Sequence, residues 1–350
     1  MIDSILEKAR DGRKVNRKEA CLLFKTDDII SLGNTANSIK NSKQPNSIIT
    51  YIIDRNINYS NICVSRCLFC AFYRQNNQPD AYVLSEKEIS EKISETLQKD
   101  GIQILMQGGL HPDFKIDFYE KLLKDIKKNH NIHIHAYSPP EIVHIAKLSK
   151  LKIEEVLKRL KKAGLDTIPG GGAEILVDRV RKKISPDKCT SQEWLDVMKT
   201  AHSLGIRSSA TMMFGHIETI EDRVDHLMKI RDLQDKTEGF TAFIPWPFQP
   251  KNTQLNSIAV SGFEYLKTLA VSRIVLDNIT NIQASWVTQG AKIAQMALLF
   301  GANDMGSTML EENVVKAAGV SFQMSENDIK RLITDLNLIP RRRNNNYQLL

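Results

Sequence analysis

The sequence predicts an α/β protein of the (β/α)8 TIM-barrel type, with helical extensions at the N- and C-terminal ends. From residue 48 onwards, short runs rich in β-forming residues alternate with longer runs of helical periodicity. Gly101, Gly164 and Gly205 each follow a predicted helix and precede a predicted strand, as helix C-caps do. The predicted strands are residues 57–62, 102–106, 132–136, 166–169, 208–214, 240–245, 281–286 and 300–304.

Three segments make up the chain in this interpretation, and no low-complexity linker separates them. Residues 1–45 form a polar helical cap, residues 46–320 form the barrel, and residues 321–350 form a C-terminal helix and a basic tail. The three arginines at 341–343 are expected to be part of a solvated polar tail.

The composition is that of a globular chain, with 350 residues, 42% hydrophobic residues and a net charge of +7. No apolar run reaches the roughly 18–20 residues that span a bilayer, and the first residues lack an apolar signal core. Basic residues lie beside acidic ones along the predicted helices, which is typical of solvated helix faces. We therefore expect a cytoplasmic protein that acts on a small molecule and binds neither nucleic acid nor membrane.

Three of the five cysteines, Cys63, Cys67 and Cys70, lie within eight residues, directly after the first predicted strand. A disulfide framework would spread its cysteines in pairs, so a metal site in a reducing compartment fits better. Structural zinc normally takes four protein ligands, yet no Cys or His follows Cys70 for 40 residues. Three thiolates on a 4Fe–4S cluster would leave one iron open to a further ligand. Zinc remains the alternative.

Several further segments accompany the cysteine motif CVSRCLFC, and these are YIIDRNINYSNIC, QGGLHP, HIHAYSPPEI, PGGGAEIL, TMMFGH, PWPFQP, QASWVTQG and GANDMGSTM. Together they resemble the dehypoxanthine futalosine cyclases, which are radical S-adenosylmethionine enzymes. The resemblance runs from about residue 48 to 320. Two sister families share much of this pattern and remain alternatives: aminofutalosine synthase and the deazaflavin (FO) synthase subunit.

The resemblance implies one 4Fe–4S cluster on the three cysteines, with S-adenosylmethionine on the open iron. In the implied reaction, a 5′-deoxyadenosyl radical removes the ribose 4′ hydrogen of dehypoxanthine futalosine. The carbon radical then closes a ring onto the benzoate, in the futalosine route to menaquinone. A carrier such as flavodoxin or ferredoxin would supply the electron. A non-catalytic metal-binding barrel is the alternative of another class.

The candidates for binding S-adenosylmethionine follow predicted strands or lie in the cysteine motif; they are Phe69, Gln107, Gly108, Gly109, Glu174 and Arg181. Phe69 is expected beside the adenine, and the turn at Gln107 is expected to bring backbone carbonyls to the methionine amino group. Glu174 resembles the family's acidic residue at the ribose hydroxyls, and Arg181 is a candidate partner for the methionine carboxylate. Each candidate also has a structural alternative. Phe69 could anchor the loop, residues 107–109 could form a tight turn, Glu174 could cap a helix, and Arg181 could be an exposed helix residue.

The last proton loss of the implied reaction needs a base, and His216 and Glu218, after the fifth predicted strand, are the first candidates. His111, after the second strand, is another, and a structural hydrogen bond is the alternative for each histidine. His133 and His135 share one face of the third predicted strand, where a metal pair is not expected.

Aromatic residues follow the sixth and seventh predicted strands, among them Trp246 and Trp286. They are candidates for flanking an aromatic substrate, with core packing as the alternative.

Overall fold

The computed structural model describes residues 1–44 and 46–350. The strands are β1 (Ile48–Ile52), β2 (Asp54–Ile57), β3 (Gln103–Met106), β4 (His133–Ala136), β5 (Ser208–Phe214), β6 (Phe240–Pro247), β7 (Asn281–Ile282), β8 (Asp304–Ser307) and β9 (Ile339–Arg342). The first helices are α1 (Ile2–Arg10), α2 (Arg17–Lys25), α3 (Ile29–Lys43), α4 (Glu86–Gln98), α5 (Ile116–Asn129), α6 (Pro139–Ser149) and α7 (Ile153–Ala163). The later helices are α8 (Asp178–Ile184), α9 (Ser191–Ser203), α10 (Ile220–Thr237), α11 (Gly262–Val275), α12 (Trp286–Ala297), α13 (Val314–Ala317) and α14 (Glu326–Thr334).

The strands pair in parallel, as alternating strands and helices predict. β2 pairs with β3 and β3 with β4, while β5 pairs with β6 and β6 with β7. β1 lies between β8 and β9. Single bridges join the three sheets, and these are His135–Thr167, Ile168–Ser208 and Gln283–Asp304. Because only Ile53 separates β1 from β2, the pairings follow one another around a ring whose strand carboxyl ends meet at one face.

Four predicted strands differ markedly from the structure in their extent. The seventh ends at Ile282 rather than residue 286, because Trp286 already begins α12. The first begins earlier than residue 57, because residues 49–53 form a buried apolar run typical of parallel sheets. The predicted strand at 166–169 is reduced to bridges at Thr167 and Ile168, because Pro169 and the following glycines end it. The last predicted strand starts at Asp304 rather than residue 300, because the chain turns at Gly301 with φ +104°.

The N-terminal helices pack against α10 and α11. Asn16 and Glu19 form a capping box that starts α2, and each side chain accepts from the other's backbone N–H. The segment is then fixed to α10, where Arg231 donates to the Val15 carbonyl at 2.8 Å and Lys14 pairs with Asp235 at 2.6 Å. The predicted boundary between cap and barrel, at residue 45, lies outside the described residues. None of the helices described is both long and apolar enough to cross a membrane.

The C-terminal segment folds back into the sheet, which corrects the expectation that the arginines at 341–343 are solvated. β9 pairs with β1, and Arg343, which directly follows it, is only 4% exposed. Its guanidinium binds both carboxylate oxygens of Asp304, with Nη2 2.8 Å from Oδ1. The Tyr347 ring covers that guanidinium at 3.9 Å. Of the three arginines, only Arg341 is exposed to solvent.

A buried polar layer surrounds this pair at the amino-terminal ends of the strands. Thr50 donates its hydroxyl to Asp304, and Ser307 donates to Asp54. Gln103 donates to the second oxygen of Asp54 at 2.8 Å. Burial raises the pKa of Asp54, and these hydrogen bonds and Arg343 oppose that rise. The layer thus joins β1, β2, β3, β8 and the chain terminus.

We expect the Arg343→Met variant to lose about 3–5 kcal/mol of unfolding free energy, because it leaves the buried Asp304 carboxylate without its cation. Urea unfolding measures this loss. Arg341→Met is the matched control, since it removes an exposed arginine from the same run and should change stability by less than about 0.5 kcal/mol. Equal effects of the two substitutions would contradict the structural importance of the pair.

Candidate functional site

The cysteine loop, residues 58–84, leads from β2 to α4 at the carboxyl end of the ring. Its backbone is held from three directions. The Cys63 N–H donates to the Arg74 carbonyl at 3.0 Å, within the loop itself. The Val64 N–H donates to Leu110, after β3, at 3.0 Å, and the Leu68 N–H donates to Ile184, at the end of α8, at 2.9 Å. The loop is therefore positioned by hydrogen bonds to the surrounding segments of the fold.

The three loop cysteines, Cys63, Cys67 and Cys70, are free thiols in the structure and suit a cluster of several irons better than a single ion. In residues 1–44 and 46–350, no three His, Cys, Asp or Glu side chains converge on one metal position. Burial raises the pKa of Cys67 to about 11, partly offset by Lys188, and also raises the pKa of Cys70. A metal centre must therefore displace protons to bind these ligands, as thiolate sites do.

The glycine turn after β3 packs directly on this loop. A Cβ on Gly109 would lie 2.1 Å from the Ile62 carbonyl oxygen and 2.9 Å from Cys63 Cβ. A Cβ on Gly108 would enter the Tyr59 ring, while the Gly108 N–H donates to Glu141 at 3.1 Å. Glycine at both positions lets the turn approach the cysteines. The contact of the turn with a methionine amino group stays a prediction.

Glu174 lies in a strained, buried position at the start of the segment that leads to α8. Its φ is +39°, in the left-handed region that non-glycine residues rarely adopt. Oε1 accepts from Lys188 Nζ at 3.0 Å. Oε2 is buried and accepts no hydrogen bond from the residues described, although Arg181 Nη1 approaches to 3.5 Å. A buried carboxylate oxygen without a donor from the protein fits a ligand that brings its own donors, such as ribose hydroxyls.

Two basic residues lie near Glu174: Arg181, which the sequence predicted, and Lys188, which it did not. Arg181 is buried and donates to the backbone carbonyls of Gly172, Ala173 and Cys189 at 2.6–3.1 Å. The guanidinium of Arg181 therefore holds the backbone at Gly172–Ala173 and at Cys189 in place. Lys188, in contrast, lies 5.0 Å over the Phe69 ring and bonds only to Glu174 among the residues described. Sequence reasoning missed Lys188 because nothing in SPDKC separates it from an exposed loop lysine.

The side chains of His216 and Glu218 are hydrogen-bonded within the turn at the end of β5 and to Arg223. Glu218 accepts from the Gly215 N–H at 2.6 Å, from the His216 N–H at 2.9 Å and from Arg223 Nε at 2.8 Å. His216 Nε2 donates to the Met213 carbonyl, and its Nδ1 accepts from the Ile217 N–H. Burial lowers the pKa of His216. These bonds use the polar atoms of both side chains within the turn, and their action as a base stays a prediction.

A cavity of about 300 Å³ runs through the ring between these loops and the C-terminal segment. Gln107 and Gly171 line its upper end, next to the glycine turn and the Glu174 segment. Arg343, Asn345 and Tyr347 line its lower end. Its wall includes Trp246, Trp286, Ser209, Thr211, Gln283 and His135. Neither His216 nor Glu218 is among its lining residues.

Two family models match consecutive parts of the chain. Residues 57–230 match the radical SAM superfamily, whose members bind a 4Fe–4S cluster and S-adenosylmethionine. Residues 237–350 match the CofH/MqnC C-terminal region. The fold is shared with the FeFe-hydrogenase maturase HydG from Carboxydothermus hydrogenoformans (TM-score 0.78, 18% identity, covering 99% of this chain and 80% of that one). It is shared with methylornithine synthase (TM-score 0.76, 16% identity, covering 97% of each chain).

Curated relatives cover the whole chain. Cyclic dehypoxanthine futalosine synthase from Halalkalibacterium halodurans is 44% identical, over 100% of this chain and 95% of that one. The enzyme of the same name from Streptomyces coelicolor is 40% identical, over 100% and 89%. The 5-amino-6-(D-ribitylamino)uracil–L-tyrosine 4-hydroxyphenyl transferase from Methanococcoides burtonii is also 44% identical, but over 91% of this chain and 90% of its own.

We expect the Cys67→Ser variant to bind little iron and to lack the visible absorption of an iron–sulfur centre, because an alcohol replaces one of three thiolate ligands. Iron content per chain and absorption after anaerobic reconstitution measure this. Cys21→Ser is the control, since Cys21 lies on α2, away from the loop. An unchanged iron content in Cys67→Ser would exclude that residue as a ligand.

Proposed function

The chain belongs to the cyclic dehypoxanthine futalosine synthase family of the radical S-adenosylmethionine superfamily, and we propose that it converts dehypoxanthine futalosine into its cyclic form. The observation that carries this proposal is the full-length identity to enzymes of that name. It is supported by the cysteine loop, which packs on the glycine turn after β3, and by the adjoining cavity, which Gln107 lines together with Trp246 and Trp286. The product belongs to the futalosine route to menaquinone. We also infer one (β/α)8 barrel, extended by helices at residues 1–45 and by residues 321–350.

When bound, the cluster and S-adenosylmethionine supply the 5′-deoxyadenosyl radical that removes a hydrogen atom from the substrate. Cys63, Cys67 and Cys70 are the residues of this chain that would hold the cluster. The unpaired Oε2 of Glu174 suits the ribose hydroxyls, and the half-buried Phe69 ring suits the adenine. Lys188 suits the methionine carboxylate better than Arg181, because the donors of Arg181 are engaged by backbone carbonyls.

The chain's own contribution to ring closure is positional. The ribose carbon must lie within reach of the radical and of the benzoate ring, and the narrow cavity restricts how the substrate lies. Trp246 and Trp286 offer flat surfaces for an aromatic ring, and the Trp286 indole is fixed by donation to the Ser307 carbonyl at 2.9 Å. Closure then releases one proton and one electron, which restores the aromatic ring. An electron carrier of the flavodoxin or ferredoxin class and a cytoplasmic location complete the proposal.

Lys188→Gln should weaken the binding of S-adenosylmethionine by roughly 10–100-fold, because a charged hydrogen bond contributes about 1.5–3 kcal/mol. Equilibrium dialysis with the reconstituted enzyme gives this dissociation constant, and iron content shows that the cluster is intact. Lys182→Gln is the control, since Lys182 is exposed on α8. An affinity of Lys188→Gln equal to that of the control would remove Lys188 from the cofactor site.

The activity itself is tested with the reconstituted enzyme, dithionite, S-adenosylmethionine and dehypoxanthine futalosine. We expect 5′-deoxyadenosine and a product that keeps the substrate skeleton but is lighter by the two hydrogens it loses. Mass spectrometry distinguishes this product. The tyrosine-dependent sister reaction, supported by the equal identity to the Methanococcoides burtonii transferase, joins two substrates instead. A joined product from tyrosine and the ribitylaminouracil, with no cyclised product, would reassign the enzyme.

A further inference from the structure

One histidine presents an open nitrogen to the cavity. His135 lies on β4, is 7% exposed and lines the cavity wall. Its Nδ1 lies 2.8 Å from Thr167 Oγ1. Among residues 1–44 and 46–350, no group hydrogen-bonds to its Nε2, and that atom is not among the fully enclosed, unpaired polar atoms. His135 therefore has one ring nitrogen tied to the wall and the other available to a molecule in the cavity.

The Thr167 hydroxyl connects this histidine to two other side chains. Thr167 Oγ1 lies 2.8 Å from His133 Nε2 and 2.6 Å from Asn345 Nδ2. The Asn345 nitrogen also approaches His135 Nδ1, at the longer distance of 3.4 Å. Asn345 comes from the C-terminal segment that closes the lower end of the ring. Three side chains thus meet at the Thr167 hydroxyl oxygen.

The proton count at that oxygen links the tautomers of the two histidines. A hydroxyl has one proton and two lone pairs, and an amide nitrogen only donates. Asn345 occupies one lone pair of Thr167. The hydroxyl proton can then go to one histidine, and the other histidine must donate to the remaining lone pair. When Thr167 donates to His133, His135 carries its proton on Nδ1 and presents the Nε2 lone pair to the cavity.

Burial lowers the proton affinity of the His135 ring. Burial first, with the charges of His133 and Arg343, lowers the pKa of His135 to about 3. His135 is therefore neutral at physiological pH, and a proton that it accepts must move on. His133 is partly exposed at the amino-terminal end of β4. Burial lowers its pKa as well, while the nearby Asp166 carboxylate opposes that shift.

We propose that His135 accepts the ring proton released after cyclisation, and that Thr167 and His133 carry a proton on to solvent at the end of the barrel opposite the cysteine loop. The proposal rests on the proposed function. The substrate C–H bond breaks and its proton goes to His135 Nε2, while the electron goes to an oxidised iron–sulfur centre. The Nδ1 proton of His135 passes to Thr167, whose own proton passes to His133 Nε2. His133 then releases its Nδ1 proton to water, and protons balance.

The test compares how radical generation and product formation respond in His135→Gln. We expect continued formation of 5′-deoxyadenosine, with the ratio of cyclic product to 5′-deoxyadenosine lowered about 10²-fold, as for the loss of a general base. Deuterium on the benzoate ring should slow product formation more in the variant than in the unmodified enzyme, because breaking the ring C–H bond becomes slow. A purely structural defect would leave that isotope effect unchanged.

A pair of Thr167 variants provides a second test that does not depend on the folding of His135→Gln. Thr167→Ser keeps the hydroxyl and should keep the product ratio, whereas Thr167→Val, of the same shape, should lower it. His202→Gln is the matched control. His202 is half-buried, with its ring nitrogens 2.8 and 2.7 Å from the hydroxyls of Thr237 and Ser208, but it does not line the cavity.

The outcomes separate this proposal from the function on which it rests. Failure of the unmodified enzyme to form cyclic product would overturn the proposed function. Cyclic product from the unmodified enzyme, with unchanged ratio and isotope effect in His135→Gln or equal ratios in the two Thr167 variants, would overturn the relay alone. An equal loss in His202→Gln would also overturn it, since a general effect of removing a hydroxyl-bonded histidine would then suffice.

Discussion

The buried pair between Arg343 and Asp304 fixes the lower end of the ring of strands. The pair joins residues 39 positions apart in the chain and brings the C-terminal segment under the ring. Removing two charges from water is costly, and here the cost is offset by bidentate geometry, by Thr50 and by the Tyr347 ring. An apolar plug would close the ring as well. The ion pair adds direction, since the forked guanidinium sets how residues 344–347 cross the opening.

The two ends of the cavity are therefore built from different kinds of structure. Loops with left-handed backbone conformations surround the upper end. Arg66, in the cysteine loop, and Glu174 have positive φ, and glycines after β3 allow close contact with the cysteine loop. Strain of this kind persists only where the surrounding packing over-determines it. The lower end is made of regular strands and a dense hydrogen-bonded layer. Regular strands thus support a strained rim of loops, as expected where the carboxyl ends of parallel strands meet.

The sequence predicted the upper end better than the lower one. Parallel strands place their carboxyl ends together, so unusual residues after strands, such as Cys63 and Glu174, could be recognised from local patterns alone. Lys188 could not, because its place depends on how the segment between α8 and α9 folds over the cysteine loop. Arg343 looked like part of a polar tail, since no local pattern shows that a segment returns to pair with β1. The shared face of His133 and His135 was visible, but the hydroxyl between them was not, because Thr167 is distant in sequence.

The separation of the two ends has a consequence for radical chemistry. A reactive carbon radical must be shielded from side reactions, so the end that generates it should remain closed during turnover. The proton released by ring closure still has to leave. A chain of hydrogen bonds through the wall moves a proton without opening a path for water, which a side chain swinging into solvent would not do. The C-terminal segment serves both needs, because Arg343 seals the lower opening while Asn345, two residues later, donates to Thr167. A single folded-back segment thus closes the cavity and orders the hydroxyl through which the proposed relay passes.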